Sequence, residues 1–393
     1  MTHVIADDAE ALAVARDLAG EFAVEAAARD TERRLPGPEL DRLSASGLLA
    51  ISVPREHGGA DVSARTVAQV FKVLAAADPN LAQIPQSHFV YVNVLRRQGS
   101  ADQRKFFFGE VLEGRRFGNA QSEAGTKHVQ DYRTTLTAAP EGGFTLNGTK
   151  HYSTGALFAD WIPVLARRED GTLHVAYLPR DAPGLTVVDD WAGMGQRTTA
   201  SGTVLLENVL VPEYRVVPHH LTFTGPQLHG AFAQLLHAAI DVGIAAGALD
   251  EAVEFVRTKA RPWFESGQDR AADDPLVIQR VGELAIKVRA AEALLDAAGA
   301  AVDAARADLT DDSAGAASIA VATAKAFADP VAVELGSAIF ELGGTRSSLE
   351  ELNLNRHWRN ARTHTLHDPA RWKIQHIGRY VLNGQLPPRH GLL

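Results

Sequence analysis

The residues best suited to chemistry lie near the end of the chain, in the segment THTLHDPARW, residues 363–372. On a helix, His364 and His367 would share one face, and Asp368 follows them directly. Such a pair can bind a metal, exchange protons or pack in the core. A metal site needs more ligands, and apart from His357 the chain offers no HExxH pattern and no cysteine. We therefore expect no metal site here. Proton exchange and packing in the core remain as the possible roles of the two histidines.

A further histidine, His88, lies in the apolar stretch PQSHFVYVNVL. A single histidine on an apolar helix is more often a core residue with both nitrogens hydrogen-bonded than a catalytic group. The residues alone leave both interpretations open.

Residues 1–115 have the pattern of a helical domain. AEALAVARDLAGEFAVEAAARDTERR has the apolar spacing of an amphipathic helix. SARTVAQVFKVLAAADP begins at a serine cap and stops before Pro79, and SADQRKFFFGEVLEG also opens with a serine and ends with a glycine.

Residues 116–220 change to a strand pattern. YRTTLTAAPEGGFTLNGTKHYST alternates in period two, and its EGG and NG pairs are tight-turn signals. Further short β segments follow, as in LHVAYLP and GTVLLENVLVP. The pattern predicts a middle antiparallel β domain.

Residues 221–393 return to helices that are long, rich in alanine and apolar on more than one side. Helices of this kind pack in a bundle and bury further surface against other subunits. We expect an α+β protein, mostly α, with a C-terminal four-helix bundle and a homotetrameric assembly.

Composition narrows the function. The net charge of −9 argues against nucleic acid and anionic membranes as partners, and the absence of cysteine excludes disulfides, iron–sulfur clusters and a thiol nucleophile. The acidic, amphipathic start MTHVIADDAEALAVARDLAG is not a signal peptide, so we expect a cytoplasmic protein.

Four motifs in order resemble the acyl-CoA dehydrogenase superfamily of flavoenzymes over essentially the whole chain. They are FGNAQSEAG with GGFTLNGTKHYSTGA, WAGMGQRTTASGTVLLENVLVPE, RTKARPWFESG and IFELGGTR. The resemblance implies the fold described above. The general base of that family is a glutamate, but its two usual positions fall on Asp368 and near Ala233. Dehydrogenation of an acyl thioester is therefore not the expected reaction.

The segment THTLHDPARWKIQHIG followed by LNGQLPPRH resembles the flavin-dependent monooxygenase branch, which includes dibenzothiophene monooxygenase-like enzymes and oxidoreductases of bacterial sulfur acquisition. This resemblance implies reduced FMN, supplied by a separate NAD(P)H-dependent flavin reductase, that reacts with O2 to form a C4a-hydroperoxyflavin. One oxygen atom would then pass to a small organosulfur compound.

The same resemblance implies the site residues. His367 would manage the peroxide proton, since an imidazole can donate or accept near neutral pH, and His364 and His88 would assist it. Asn119 and Ser153 would contact both the flavin and the reacting oxygen. Additional flavin contacts would come from Ser122, Thr154, Arg261, Gly343 and Gly344.

Arg261 would bind the flavin phosphate, in its own or in a neighbouring subunit, because a guanidinium matches phosphate geometry. Its motif ends FESG, which is consistent with FMN in place of FAD. Gly343 and Gly344 would allow close approach of the cofactor, or would simply end a helix.

Two alternatives stay open at this stage. One is an FAD-containing acyl-CoA dehydrogenase or nitroalkane-oxidase-like enzyme with Asp368 as base. The other is a non-catalytic flavin-binding protein of the same fold.

Overall fold

The computed structural model describes residues 2–393 and begins with a helical region. Its helices are α1 (Asp8–Ala23), α2 (Ala26–Glu32), α3 (Gly37–Ala45), α4 (Ala64–Ala77), α5 (Pro79–Gln83), α6 (Gln86–Gln98) and α7 (Ala101–Leu112). Two of the predicted starts are confirmed by their caps: Ser63 accepts from the backbone N–H of Thr66, and Ser100 forms a capping box with Gln103.

A seven-stranded sheet follows, with the strand order β5-β6-β2-β1-β3-β4-β7. The strands are β1 (Thr135–Ala138), β2 (Phe144–Lys150), β3 (Trp161–Arg168), β4 (Leu173–Pro179), β5 (Leu185–Val188), β6 (Thr203–Val211) and β7 (Val216–Val217). All neighbouring strands are antiparallel except the short pairing of β1 with β3. The predicted antiparallel domain is therefore confirmed, with one parallel pair that links its two halves.

The two turn signals of this domain behave differently. Glu141, Gly142 and Gly143 form the turn between β1 and β2, and both glycines have positive φ. Asn147 and Gly148 lie inside β2 instead, where the register shifts in a bulge. The prediction of a turn at this NG pair was wrong, because the strand continues on both sides of the bulge.

The C-terminal region is built on three long helices, α8 (His229–Thr258), α9 (Pro275–Ala307) and α10 (Asp311–Gly343). The shorter helices α11 (Asn355–His364) and α12 (Ala370–Asn383) pack against α10. Both α8 and α10 are long and apolar enough to cross a membrane, but 78% and 61% of their most apolar windows are buried inside the protein. They are core helices of a bundle.

The N-terminal and C-terminal helices share one hydrophobic core. Helix α4 packs against both α8 and α9, and residues from all three contribute to the same buried cluster. Buried side chains of the β strands form a second hydrophobic core. The chain therefore encloses a space where α6, the sheet and the C-terminal helices meet.

A buried ion pair fixes the segment beside β2 that faces this space. Lys150 is fully buried, and its Nζ donates to Oε1 of Glu123 at 2.7 Å and to the carbonyl oxygen of Gln121 at 3.1 Å. The carboxylate of Glu123 also accepts from the backbone N–H groups of Arg133 and Thr134. The segment 121–123 is thereby held against β2.

Lys150→Met should lower the free energy of unfolding by about 3–5 kcal/mol, because it leaves the carboxylate of Glu123 without its counter-charge. Although burial acts to raise it, the pKa of Glu123 is lowered to about 2 by hydrogen bonds from Lys150 and the 133–134 backbone. This contribution is therefore present above the unfolded pKa and is lost as the pH falls toward 2. Urea unfolding at pH 7 and at acidic pH measures both effects. The exposed Lys127→Met is the control, and equal stability of the two variants would contradict the assignment.

Candidate active site

A cavity of about 300 Å³ lies between α6, the sheet, α8 and the segment after α11. The residues around it include Gln86, Tyr91, Asn119, Ser122, His237 and His367. Polar and aromatic side chains thus line much of the wall, and they come from all three regions of the chain. Among residues 2–393, no group of three or more histidine and acidic side chains is placed to hold a metal ion.

Three histidines cluster at the floor of this cavity. The imidazole of His367 is exposed to the cavity, and its ring centroid is 3.9 Å from that of His237 on α8. Nε2 of His364 lies 3.2 Å from Nδ1 of His237. Protein encloses His367 on its other sides, and this desolvation lowers its pKa to about 4. Its imidazole is therefore neutral at neutral pH and can accept a proton.

Asp368 does not share this environment, although it is the next residue. It is buried and does not line the cavity. Its carboxylate forms ion pairs with Lys373 at 2.5 Å and Lys325 at 3.7 Å. Burial acts to raise the pKa of Asp368, but the two lysines outweigh it and hold the pKa below its usual value. This carboxylate is a poor candidate for a base that removes a substrate proton.

The geometry does not support the prediction that His88 is a second active-site histidine. Its Nε2 donates to the carbonyl oxygen of Leu49 at 2.9 Å, and its Nδ1 accepts from the backbone N–H of Phe117 at 3.0 Å. The ring is 1% exposed and does not line the cavity. Burial lowers the pKa of His88 to about 4, so it stays neutral. Its observed role is to join α6 to the start of the β region.

The structure brings Asn119 and Ser122 to the cavity wall, as expected. Oδ1 of Asn119 accepts from the hydroxyl of Tyr91 at 3.2 Å. This hydrogen bond fixes the amide and leaves its nitrogen as a donor on the cavity side. Asn119 lies in an isolated bridge region beside β3, so a strand position holds the side chain in place.

Ser153 and Thr154 are buried behind the cavity wall. Thr154 bonds to the hydroxyl of Ser201 at 2.7 Å, whereas Oγ of Ser153 is completely buried and has no hydrogen-bond partner within residues 2–393. Oε1 of Gln234, on the cavity wall, is also buried without a partner. Unsatisfied buried polar atoms are costly and rare in proteins. The oxygen of Gln234 suits a ligand edge that offers a hydrogen-bond donor, as the flavin ring does.

The remaining predicted flavin contacts do not reach the cavity within one chain. Arg261 is exposed, between α8 and α9, and does not line the cavity. Gly343 ends α10, and a Cβ at this position would collide with Ser347 and Phe255. Gly344 caps the same helix with φ +64°. The two glycines therefore end a helix and allow close packing inside the chain, and their contact with a cofactor stays a prediction.

His237 and Asp241 are the site residues that the sequence pattern did not single out. Both lie on α8, four residues apart and completely or nearly buried, within the otherwise apolar stretch 235–248. Two polar residues at this spacing share one helix face. An apolar helix with one such pair is therefore a signal that could have identified them.

This architecture is also found in known proteins. Three acyl-CoA dehydrogenase domain models match in order: the N-terminal domain at residues 7–115, the middle domain at 117–209 and the C-terminal domain at 235–372. This chain belongs to the acyl-CoA dehydrogenase family. The fold expected from the four motifs is confirmed.

Similar proteins within the family are flavin monooxygenases. Dibenzothiophene monooxygenase of Rhodococcus qingshengii is 36% identical over 402 residues, which cover 97% of this chain and 95% of that protein. The FMN-bound structure of TdsC from Paenibacillus sp. A11-2 has a TM-score of 0.92 and 33% identity, and covers 98% of this chain and 100% of that one. Methanesulfinate monooxygenase MsuC from Pseudomonas fluorescens has a TM-score of 0.90 and 32% identity, with 97% and 99% covered.

His88→Ala should act on stability and not on the reaction. The variant leaves a buried carbonyl and a buried N–H without partners and opens a cavity, which together cost about 2–4 kcal/mol. Urea unfolding measures the loss, and the exposed His128→Ala serves as the control. A fully stable variant that had lost its activity would restore His88 to the active site.

Proposed function

We propose that this protein is a two-component monooxygenase that uses reduced FMN and O2 to oxygenate a small organosulfur compound. The similar proteins act on sulfur compounds that range from dibenzothiophene to methanesulfinate, and TdsC binds FMN. The chemistry of the cavity supports the same reaction class here.

The observation that carries this proposal is the contrast between two adjacent residues. His367 opens to the cavity as a free imidazole, whereas the carboxylate of Asp368 is buried between two lysines. The second family position for a base, Ala233, is on the cavity wall and carries no acid. Removal of a C–H proton needs a base that faces the substrate, which in this family is a carboxylate, and oxygen transfer to sulfur needs no such carboxylate. A dehydrogenase with Asp368 as base is therefore disfavoured.

Reduced FMN, when bound, supplies the two electrons that activate O2, so that one oxygen atom goes to sulfur and the other leaves as water. The amide of Asn119 and the hydroxyl of Ser122, both on the cavity wall, suit the polar edge of the flavin. His367 holds and returns a proton at a free ring nitrogen beside the reacting oxygen. Displacement of water from the cavity by the bound ligands would limit loss of the activated oxygen as H2O2.

The phosphate end of FMN needs a cation, and we propose that Arg261 of a neighbouring subunit provides it. Arg261 is exposed, next to Trp263 and Phe264, which are 62% and 77% exposed. Helix α12 also presents an uncovered apolar stripe, with Val381 and Leu382 77% and 82% exposed. Apolar surface of this extent is typical of subunit contacts. We propose a homotetramer in which these surfaces meet.

The wider setting follows from the reaction. A separate NAD(P)H-dependent reductase would deliver the reduced FMN by diffusion, and the protein would work in the cytoplasm. Purification distinguishes the alternatives. Tightly bound yellow FAD favours a dehydrogenase or oxidase, weak binding of reduced FMN favours the proposal, and no flavin binding favours a non-catalytic protein.

His367→Ala should abolish oxygen transfer while FMN still binds, because the proton needed beside the activated oxygen is no longer held. A positioned acid–base group contributes roughly a hundredfold to ten-thousandfold in rate. The variant should consume reduced FMN and O2 but release H2O2, which a peroxidase-coupled assay and product analysis together measure. Asp368→Asn should lose stability, since two buried lysines lose a partner, but the folded fraction should still form product. If Asp368→Asn alone stops turnover, the protein is an oxidase or dehydrogenase.

Arg261→Ala and Leu382→Asp should both weaken FMN binding if Arg261 acts across a subunit contact. Loss of a phosphate-pairing guanidinium costs on the order of a hundredfold in affinity. Flavin fluorescence titration measures affinity, and light scattering measures the mass. We expect Leu382→Asp to lower both, and Arg261→Ala to lower affinity alone. The controls are the exposed Arg270→Ala and Asn383→Asp, the latter about 100° around α12 from Leu382. A wild-type monomer that binds FMN normally would refute this arrangement.

A further inference from the structure

A row of hydrogen-bonded groups leads from the cavity into the C-terminal bundle. Nδ1 of His364 lies 2.6 Å from Oδ1 of Asp241, and Nε2 of His364 lies 3.2 Å from Nδ1 of His237. Asp241 is completely buried, and His364 is 4% exposed. His237 reaches the cavity wall, where its ring lies against His367. The row thus connects a buried carboxylate to the proposed reaction site.

The hydrogen bonds define where the protons lie. Burial acts to raise the pKa of Asp241, but His364 and Lys325 outweigh it and lower the pKa to about 2. The carboxylate is therefore ionised and accepts from Nδ1–H of His364. When His364 is neutral, its Nε2 must then accept from Nδ1–H of His237. This leaves Nε2 of His237 as a free base, and that atom has no protein partner among the described residues.

The positive and negative side chains around Asp241 and His364 balance one another in charge. Lys325 on α10 bonds Asp329 at 3.0 Å and lies 3.4 Å from Asp241, while Lys373 on α12 pairs with Asp368. Burial and the nearby carboxylate of Asp241 raise the pKa of Asp329 to about 8, so this acid is neutral at neutral pH. Two lysines therefore face two ionised carboxylates. A proton that reached His364 would meet Asp241 directly, without an excess of positive charge around it.

His237 is unsuited to keep a positive charge itself. Burial and the neighbouring His367 and His364 lower its pKa well below the usual value, as do Lys325 and Lys373. His364 differs, because it bonds directly to Asp241 and because Oε1 of Gln83 lies 3.1 Å from its Nε2. Gln83 can accept the Nε2 proton of a charged His364.

We propose that His237, His364 and Asp241 form a proton relay for the cavity. One proton is accepted at Nε2 of His237, while Nδ1 of His237 gives its own proton to Nε2 of His364. The positive charge then rests on His364 against the carboxylate of Asp241, one imidazole away from His367. The reverse transfer returns the proton. In this scheme, which rests on the proposed function, Asp241 and His364 are positioning residues, and His237 is the end that faces the reactants.

Asp241→Asn tests the relay, with Asp329→Asn as the matched control. Both carboxyl groups are buried beside Lys325, but Asp329 is outside the row, and an asparagine resembles its protonated form. In the cofactor-free protein, the short hydrogen bond of His364 should give a far-downfield proton resonance by NMR. We expect this resonance in the wild type and in Asp329→Asn, and its loss in Asp241→Asn.

With reduced FMN, the readout is the fraction of flavin consumed that yields oxygenated product, measured against pH. Asp241→Asn should lower this fraction by about tenfold to a hundredfold and should remove one limb of the pH profile. His237→Gln should remove the same limb but keep the downfield resonance, because it leaves the contact between His364 and Asp241 intact. This second variant decides the question if Asp241→Asn does not fold.

Other outcomes are equally distinct. If Asp241→Asn and Asp329→Asn lose the same activity with unchanged pH dependence, the contacts only hold the bundle together and the relay is refuted. An unchanged pH profile in His237→Gln refutes it as well. If the wild type oxygenates no organosulfur compound, the proposed function fails. The relay is then judged from the pH profile of H2O2 release with reduced FMN and O2, which Asp241→Asn should still alter.

Discussion

The ammonium group of Lys325 is the contact on which the site depends. It is completely buried and faces carboxyl groups from α8, from α10 itself and from the turn after α11. Removing one partner of a buried ion cluster is strongly destabilising, because the others lose their compensation. The cluster therefore fixes the turn that carries His367 relative to α8, which carries His237. The imidazoles of His237 and His367 are in contact because the ion pairs of Lys325 hold together the two segments that carry them.

This arrangement also explains how a family fold built for one reaction can serve another. The position of the base is occupied by Asp368, but the lysines bind that carboxylate and turn it inward. The adjacent imidazole of His367 faces the cavity instead. The two lysines thus hold this carboxylate in a structural role, within a chain that keeps the family fold.

Much of the fold follows from local patterns in the sequence. The serine caps of α4 and α7 and the period-two alternation of β1 and β2 are decided by neighbouring residues, so they could be predicted. Whether a single polar side chain points into the core or toward the cavity depends on hydrogen-bond partners that are distant in the sequence. His88 illustrates this, since its two hydrogen bonds come from Leu49 and Phe117, far away in the sequence. His237 was missed for the same reason, although its spacing from Asp241 was visible.

The protonated state of Asp329 has a consequence for folding itself. In the unfolded chain this carboxyl group has an ordinary pKa and is ionised at pH 7, whereas in the native protein its pKa is raised to about 8. Folding at neutral pH therefore takes up a proton from solution at this position. The native state binds more protons than the unfolded state between the two pKa values, so this residue makes the free energy of unfolding fall as the pH rises through that range. The bundle is thus coupled to the acidity of its surroundings through a group that is buried in the native protein.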